Sequence, residues 1–335
     1  MPPRAPRAGL PTFYLDTSTF CDAVRAHAVP LDPGVSTAYT PLLPWLERVA
    51  GEANLCVGLV HLLELARWKD RGSAAAVAGW LDGVETVWVR QMVDVQEDED
   101  EYWLRAALGL SKPDAVNPFA PSMLPAIGKL TPTTSPEAFA FTRLPDFVSA
   151  LHELASSFSR EGVRSMVQRF HDDRRWATES GWTEQRKSDE RGYRQRVEIR
   201  ARAHEALSRI RRRGEEIPQQ NQAGDNAQDL LVELVGRLPQ AMPSFRVVDD
   251  FSLAWGDLAG RRTPGSKRAT KMESTFEDFL HLAVGAAYCS VFTCDADVSG
   301  CLGDSRAKLG LPRQMSVTEL GGPEAFVAAL MGTWP

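Results

Sequence analysis

Five acidic residues stand out by their surroundings rather than by their number. Asp16 ends the apolar run TFYLD (12–16), and Glu64 sits among the leucines of LVHLLELARW (59–68). Asp278 falls in the first turn of EDFLHLAVGAAY, and Asp295 closes SVFTCD with Asp297 two residues on. Carboxylates set in apolar segments and brought together cannot all stay ionised, because repulsion and desolvation raise their pKa values. A hard divalent cation with oxygen ligands, Mg2+ or Mn2+, removes that conflict. Such a cluster can activate a water and stabilise charge on a phosphoryl group.

Each acid also has an ordinary reading. Asp16 can end a strand or cap the next helix, and Glu64 can lie on a solvated helix stripe beside Arg67 or Lys69. Asp278 competes with Glu277, since Ser274-x-x-Glu277 spells a capping box. Asp295 and Asp297 can be turn residues ahead of Gly300. Only their order along the chain, on the elements expected to carry them, makes the joint reading strong.

Those elements are short apolar runs alternating with helical periodicity. TFYLD, NLCVG (54–58), TVWVR (86–90) and SVFTCD (290–295) read as buried strands, with QMSVTEL (314–320) as an edge strand. Helices are expected from Thr17, over 41–47, 59–68 and 73–84, and again over 274–289 and 323–332. Runs this short and apolar suit a parallel sheet covered on both faces, which predicts a three-layer α/β core. In such sheets ligands collect beyond the carboxyl ends of the strands, where Asp16 and Asp295 fall. Residues 11–93 and 274–335 together make about 145 residues, an ordinary domain size. The intervening 94–273 reads as a mostly helical insertion that is Pro-rich and basic, with seven prolines between Pro113 and Pro145. Asp249 and Asp250 are expected to start a helix ahead of FSLAW.

The 335 residues are 43% hydrophobic and 24% charged, which excludes a globally disordered chain, and none of the apolar runs reaches membrane-spanning length. Five cysteines without a CxxC pair argue against a disulfide framework or zinc ribbon, and the six histidines show no zinc spacing. With no apolar segment ahead of Phe13, the expected location is cytoplasmic. His281, one turn beyond Asp278, reads first as a buried structural histidine and second as a hydrogen-bonding neighbour of the site. The net charge of −6 hides segregation. From Arg160 to Arg213 there are 16 Lys/Arg against 9 Asp/Glu, whereas six of the eight residues from Asp94 to Glu101 are acidic. Arg191, Arg194, Arg196, Arg200, Arg202, Arg211, Arg212 and Arg213, with Arg261, Arg262, Lys267 and Arg268, are candidate phosphate contacts. Trp176, Trp182 and Tyr193 among them can stack on unpaired bases or anchor a core.

Read together, YLDTS, LLELARW, DFLHLAVGAA and FTCDAD resemble the ordered acidic motifs of PIN-domain nucleases. The resemblance covers about 145 residues at the two ends of the chain. It implies a PIN-like three-layer core and metal-dependent endonucleolytic hydrolysis of nucleic acid, with RNA favoured over DNA. Asp16, Glu64, Asp278 and Asp295 would be the catalytic residues and would hold one or two Mg2+ or Mn2+ ions, with Asp297 as a further ligand. Thr17, Ser18 and Thr293 would support them by hydrogen bonding. An alternative is a catalytically silent PIN-like scaffold that binds RNA or a protein partner through the insertion. A regulatory or antitoxin-like protein masking the basic face is a further expectation.

Overall fold

The computed structural model describes residues 5–27, 34–123, 126, 143–155, 172, 184–215, 242–261, 281–303, 313–317 and 319–334. The first half runs β1 (Thr12–Tyr14), α1 (Thr17–Arg25), α2 (Leu42–Glu52), β2 (Asn54–Gly58), α3 (Leu59–Arg67), α4 (Arg71–Gly83) and β3 (Val87–Val89). There follow α5 (Met92–Ala107), β4 (Phe119–Ala120), α6 (Leu144–Ala155), α7 (Glu184–Arg212) and α8 (Pro243–Arg261). A π-helical turn (Leu282–Ala286), β5 (Val291–Thr293), α9 (Ala296–Leu302), β6 (Arg313–Met315) and α10 (Pro323–Met331) complete the series.

The strands form one sheet in the order β4-β3-β2-β1-β5-β6. Five are mutually parallel, and only β4 pairs antiparallel, Trp88 opposite Ala120. Pro118 and Pro121 flank that two-residue strand, and an edge is where proline is tolerated in a sheet. The chain winds one way from β1 through β2 to β3 and the other way from β5 to β6. The switch point therefore lies between β1 and β5, which pair Tyr14 with Phe292.

Strand alternation divides the apolar side chains between two cores, as a sheet covered on both faces requires. Phe13, Leu15, Leu55, Val57, Trp88 and Val291 face one core with Phe20, Trp45, Leu62, Val77, Phe147 and Phe326 of the surrounding helices. Tyr14, Cys56, Val87, Val89 and Phe292 face the other with Val95, Phe251, Trp255 and Val298. The molecule is thus an α/β protein with a mostly parallel sheet between two helical layers. All five cysteines are buried and free. No helix among the described residues is long and apolar enough to cross a membrane.

Segments between 94 and 273 build into both layers. Helix α6 packs on α3 and α4, and α8 packs on the π-helical turn and α9. Helix α8 starts at Pro243, ahead of the expected start at Asp249, because Glu99 of α5 accepts hydrogen bonds from the backbone N–H groups of Ser244 and Phe245 and so caps it. The acidic run forms α5, within the stretch expected to be mostly helical, and several of its charges are matched from α7 and its end. Arg202 bonds Asp100 at 2.8 Å, Arg213 bonds Glu101 at 2.6 Å, and Arg105 bonds Glu101 at 2.9 Å as well as Glu215. Among the described residues, the acidic run and part of the basic run meet and pair in space.

Candidate metal centre

Three loops leave the carboxyl edge of the sheet, and each starts a helix at once. Asp16 is the N-cap residue of α1 directly after β1, Gly58 that of α3 after β2, and Asp295 that of α9 after β5. Parallel pairing of β1 with both β2 and β5 sets these three turns side by side. Helix α3 turns Glu64 inward, away from Arg67 and Lys69. Its carboxylate accepts from the Thr17 hydroxyl and lies 3.1 Å from His281 Nε2, so the solvated-stripe reading does not hold. Asp16 accepts from the Ser18 hydroxyl, and its own N–H donates to Thr293 Oγ1 at 2.7 Å. Among the described residues, one ligand atom from each of Asp16, Glu64 and His281 falls within 4.8 Å of the other two.

Two buried histidines meet here and differ in kind. His61 accepts from the Gly58 N–H at Nδ1 (3.0 Å), so its Nε2–H donates to the Leu15 carbonyl (2.7 Å), tying the end of β1 to the start of α3. Burial, then the nearby His281, lowers its pKa to about 4, and it stays neutral. His281 has side-chain partners only: Tyr14 Oη at 2.5 Å on Nδ1 and Glu64 on Nε2. Burial alone would lower its pKa, but the Glu64 charge and hydrogen bond outweigh that and raise it.

The two carboxylates diverge. Burial first, then the Glu64 charge, push Asp16 up to about 6, with Asp295 adding to the rise and the Ser18 bond opposing it. Burial would also raise Glu64, yet the His281 charge and the bonds from His281 and Thr17 hold it below the usual range. A half-buried pair with one carboxylate ionised and the other pushed toward protonation has a single imidazole as its cationic neighbour. Among the described residues neither acid forms an ion pair with Lys or Arg. The donor set, two carboxylates and an imidazole, could hold a metal ion.

Asp295 stands at the same edge, close enough for its charge to raise Asp16, while its Oδ1 accepts from the Val298 N–H and caps α9. Asp297 follows in the first turn of α9. Asp278 lies outside the described residues, as do Arg262, Lys267, Arg268, Trp176 and Trp182. Arg191, Arg194 and Arg196 lie on α7. Arg202 and Arg213, two of the candidate phosphate contacts, have acidic partners within the chain. Each pairs with an acid of α5, where the acidic run of one helix faces the basic run on and just past the other. Arg200, Arg211, Arg212, Arg261 and Tyr193 are exposed.

His281 was undervalued by sequence reasoning, although its signal was present: Asp278-x-x-His281 places it one helical turn past a candidate ligand. Tyr14 gave no signal beyond an aromatic in a buried strand. No protein-family model, curated protein or solved structure matches this chain.

Proposed function

We propose that this chain is a divalent-metal-dependent nuclease with a PIN-like core, hydrolysing phosphodiester bonds, RNA in preference to DNA. One observation carries the reading: Asp16 and Glu64, remote in sequence, meet at the carboxyl edge beside the switch point of a parallel sheet, with no Lys or Arg partner among the described residues. Asp16 and Glu64 would hold Mg2+ or Mn2+, with Asp295, Asp297 and Asp278 as further ligands. The bound ion would lower the pKa of a water and offset charge on the scissile phosphate.

The chain's own groups prepare that site. Thr17 and Ser18 hold one oxygen each of Glu64 and Asp16, which fixes the carboxylate planes. Thr293 fixes the backbone of Asp16 from β5, so the two strand ends cannot drift apart. The amino ends of α1, α3 and α9 open on the same edge, and oriented N–H groups there favour an anionic substrate. Exposed Arg211 and Arg212 on the far end of α7 are left to engage a polyanion. The preference for RNA rests on the resemblance to PIN-domain nucleases.

The test is cleavage of single-stranded RNA with Mn2+ by the full chain and by Asp16→Asn and Glu64→Gln. Both variants are expected to lose about 1,000-fold or more in rate, the scale of a lost ion in phosphoryl chemistry. Cleavage at the wild-type rate by either variant overturns the mechanism. A DNA substrate cut faster than RNA overturns the substrate preference alone.

A further inference from the structure

We propose that His281 is a nitrogen ligand to the metal ion at this site, aimed by Tyr14, and that the site therefore takes a first-row transition ion such as Mn2+ in preference to Mg2+. This rests on the metal-site reading of Asp16 and Glu64 and adds to it the nature of the third donor.

Four observations point the same way. First, His281 is 4% exposed, and its ring is held only by side chains of the site itself, whereas its neighbour His61 is used up by two backbone groups. A purely structural histidine would be expected to resemble His61. Second, Tyr14 Oη at the end of β1, outside the donor cluster, lies 2.5 Å from Nδ1 and can accept from an Nδ1–H, the tautomer that leaves the Nε2 lone pair free. A metal-binding histidine commonly has its second nitrogen held in this way, which fixes the ring plane and leaves Nε2 facing the ion. Third, Nε2 and Glu64 Oε1 are 3.1 Å apart. Two donors at right angles around an ion, each about 2.1 Å from it, stand about 3.0 Å apart, so both can bind without rearrangement.

Fourth, the backbone is shaped to bring the ring there. His281 directly precedes a π-helical turn, a feature often found at functional sites because it re-aims the residues around it. Within that turn Gly285 lies against Tyr14. A Cβ added there would sit 2.6 Å from Tyr14 Cδ1 and 2.9 Å from the Phe292 ring. The close approach of this helix to β1 seats Tyr14 under His281.

The consequence is selectivity. Mg2+ demands near-octahedral oxygen and seldom takes imidazole, whereas nitrogen donors favour the later divalent ions. The experiment is pulsed EPR on the Mn2+-loaded full chain, with Mn2+ affinity measured on the same samples. Coupling to a directly bound imidazole nitrogen is expected in the wild type and should vanish in His281→Gln. Tyr14→Phe should keep the coupling while loosening Mn2+ about 10- to 100-fold. His281→Asp, an all-oxygen set, should shrink the preference for Mn2+ over Mg2+ about tenfold. Mn2+ binding that requires Asp16 but shows no nitrogen coupling in the wild type overturns the role of His281 and leaves the metal site standing. Mn2+ binding that is absent, or that survives Asp16→Asn unchanged, overturns both.

Discussion

Two regions of this molecule bury acidic side chains, and they do so in opposite ways. In the α5–α7 layer the buried acids Glu99, Asp100 and Glu101 each have donors of their own. Asp100 faces Arg202, Glu101 faces Arg105 and Arg213, and Glu99 accepts from Tyr288, from the hydroxyl and N–H of Ser244 and from the Phe245 N–H. At the carboxyl edge of the sheet, Asp16 and Glu64 face each other with hydroxyls and one imidazole. The first arrangement is complete in itself and is architecture. The second has one imidazole and, among the described residues, no Lys or Arg for its two carboxylates, which leaves room for a bound cation. Acids withdrawn from water thus serve two purposes, and what separates them is how fully their neighbours satisfy them.

Removing a partner in the complete layer should therefore be the more damaging to stability. Arg202→Met leaves Asp100 buried without its cation and also loses the stacking of the guanidinium over Phe245 at 4.4 Å. A loss of about 3–5 kcal/mol is expected in urea unfolding. A loss below about 1 kcal/mol would mean that these pairs are decoration, and the contrast would dissolve.

Glu99 gives the same layer a pH signature. Burial pushes its carboxyl up to about 7, against the hydrogen bonds it accepts from Tyr288, Ser244 and Phe245. Folding then takes up a proton between the unfolded carboxyl range near 4.5 and the folded value near 7. The contribution of Glu99 is fully present below that window, falls as pH rises through it and is flat above. The difference in unfolding free energy between wild type and Glu99→Gln should drop by about 3 kcal/mol from pH 4.5 to 7.5. A level difference across that range would show that Glu99 titrates normally.

How much of this was readable in the chain depends on whether the signal was local. The strands β1, β2, β3 and β5 announce themselves as apolar runs, and the acids at the ends of β1 and β5 follow from where parallel sheets bind ligands. Glu64 could be placed on a helix but not turned inward, since nothing in LVHLLELARW names Thr17 as its partner. The six acids in eight residues of α5 lie in a stretch expected to be mostly helical, but nothing in them names their partners. What stabilises them is on α7, about a hundred residues away. The start of α8 was misplaced for the same reason, its cap being a side chain from another helix. The expected edge strand over 314–320 shrinks to Arg313–Met315, because the Leu320 N–H turns back to the Ser316 carbonyl. Long-range partners account for the orientation of Glu64 and the start of α8, whereas the shortened edge strand is a local turn.

Gly285 joins the strand layer to the metal centre and is a smaller lever. Gly285→Ala should cost about 1–3 kcal/mol, since Tyr14 and Phe292 must both move to admit the methyl group. Nuclear magnetic resonance of the His281 ring should report the loss of its bond to Tyr14 in the same variant. An unshifted ring would mean that helix and strand are not coupled through this glycine.

Opposite in sign and smallest is the expected effect of Asp16→Asn on the metal-free fold. Neutralising a carboxyl pushed up to about 6 by burial and by Glu64 should stabilise the protein by about 1–2 kcal/mol at pH 7.5 in the absence of divalent ions. Destabilisation would place Asp16 with the architectural acids.

Calorimetric titration of Mn2+ into the full chain, its Asp16→Asn and Glu64→Gln variants, and Arg202→Met as a control from the complete layer tests most directly whether the two kinds of buried acid differ. Saturable binding in the wild type and the control, lost or weakened more than about 100-fold in both carboxylate variants, is the predicted result. Equal affinity in all four proteins, or no binding in any, would contradict it.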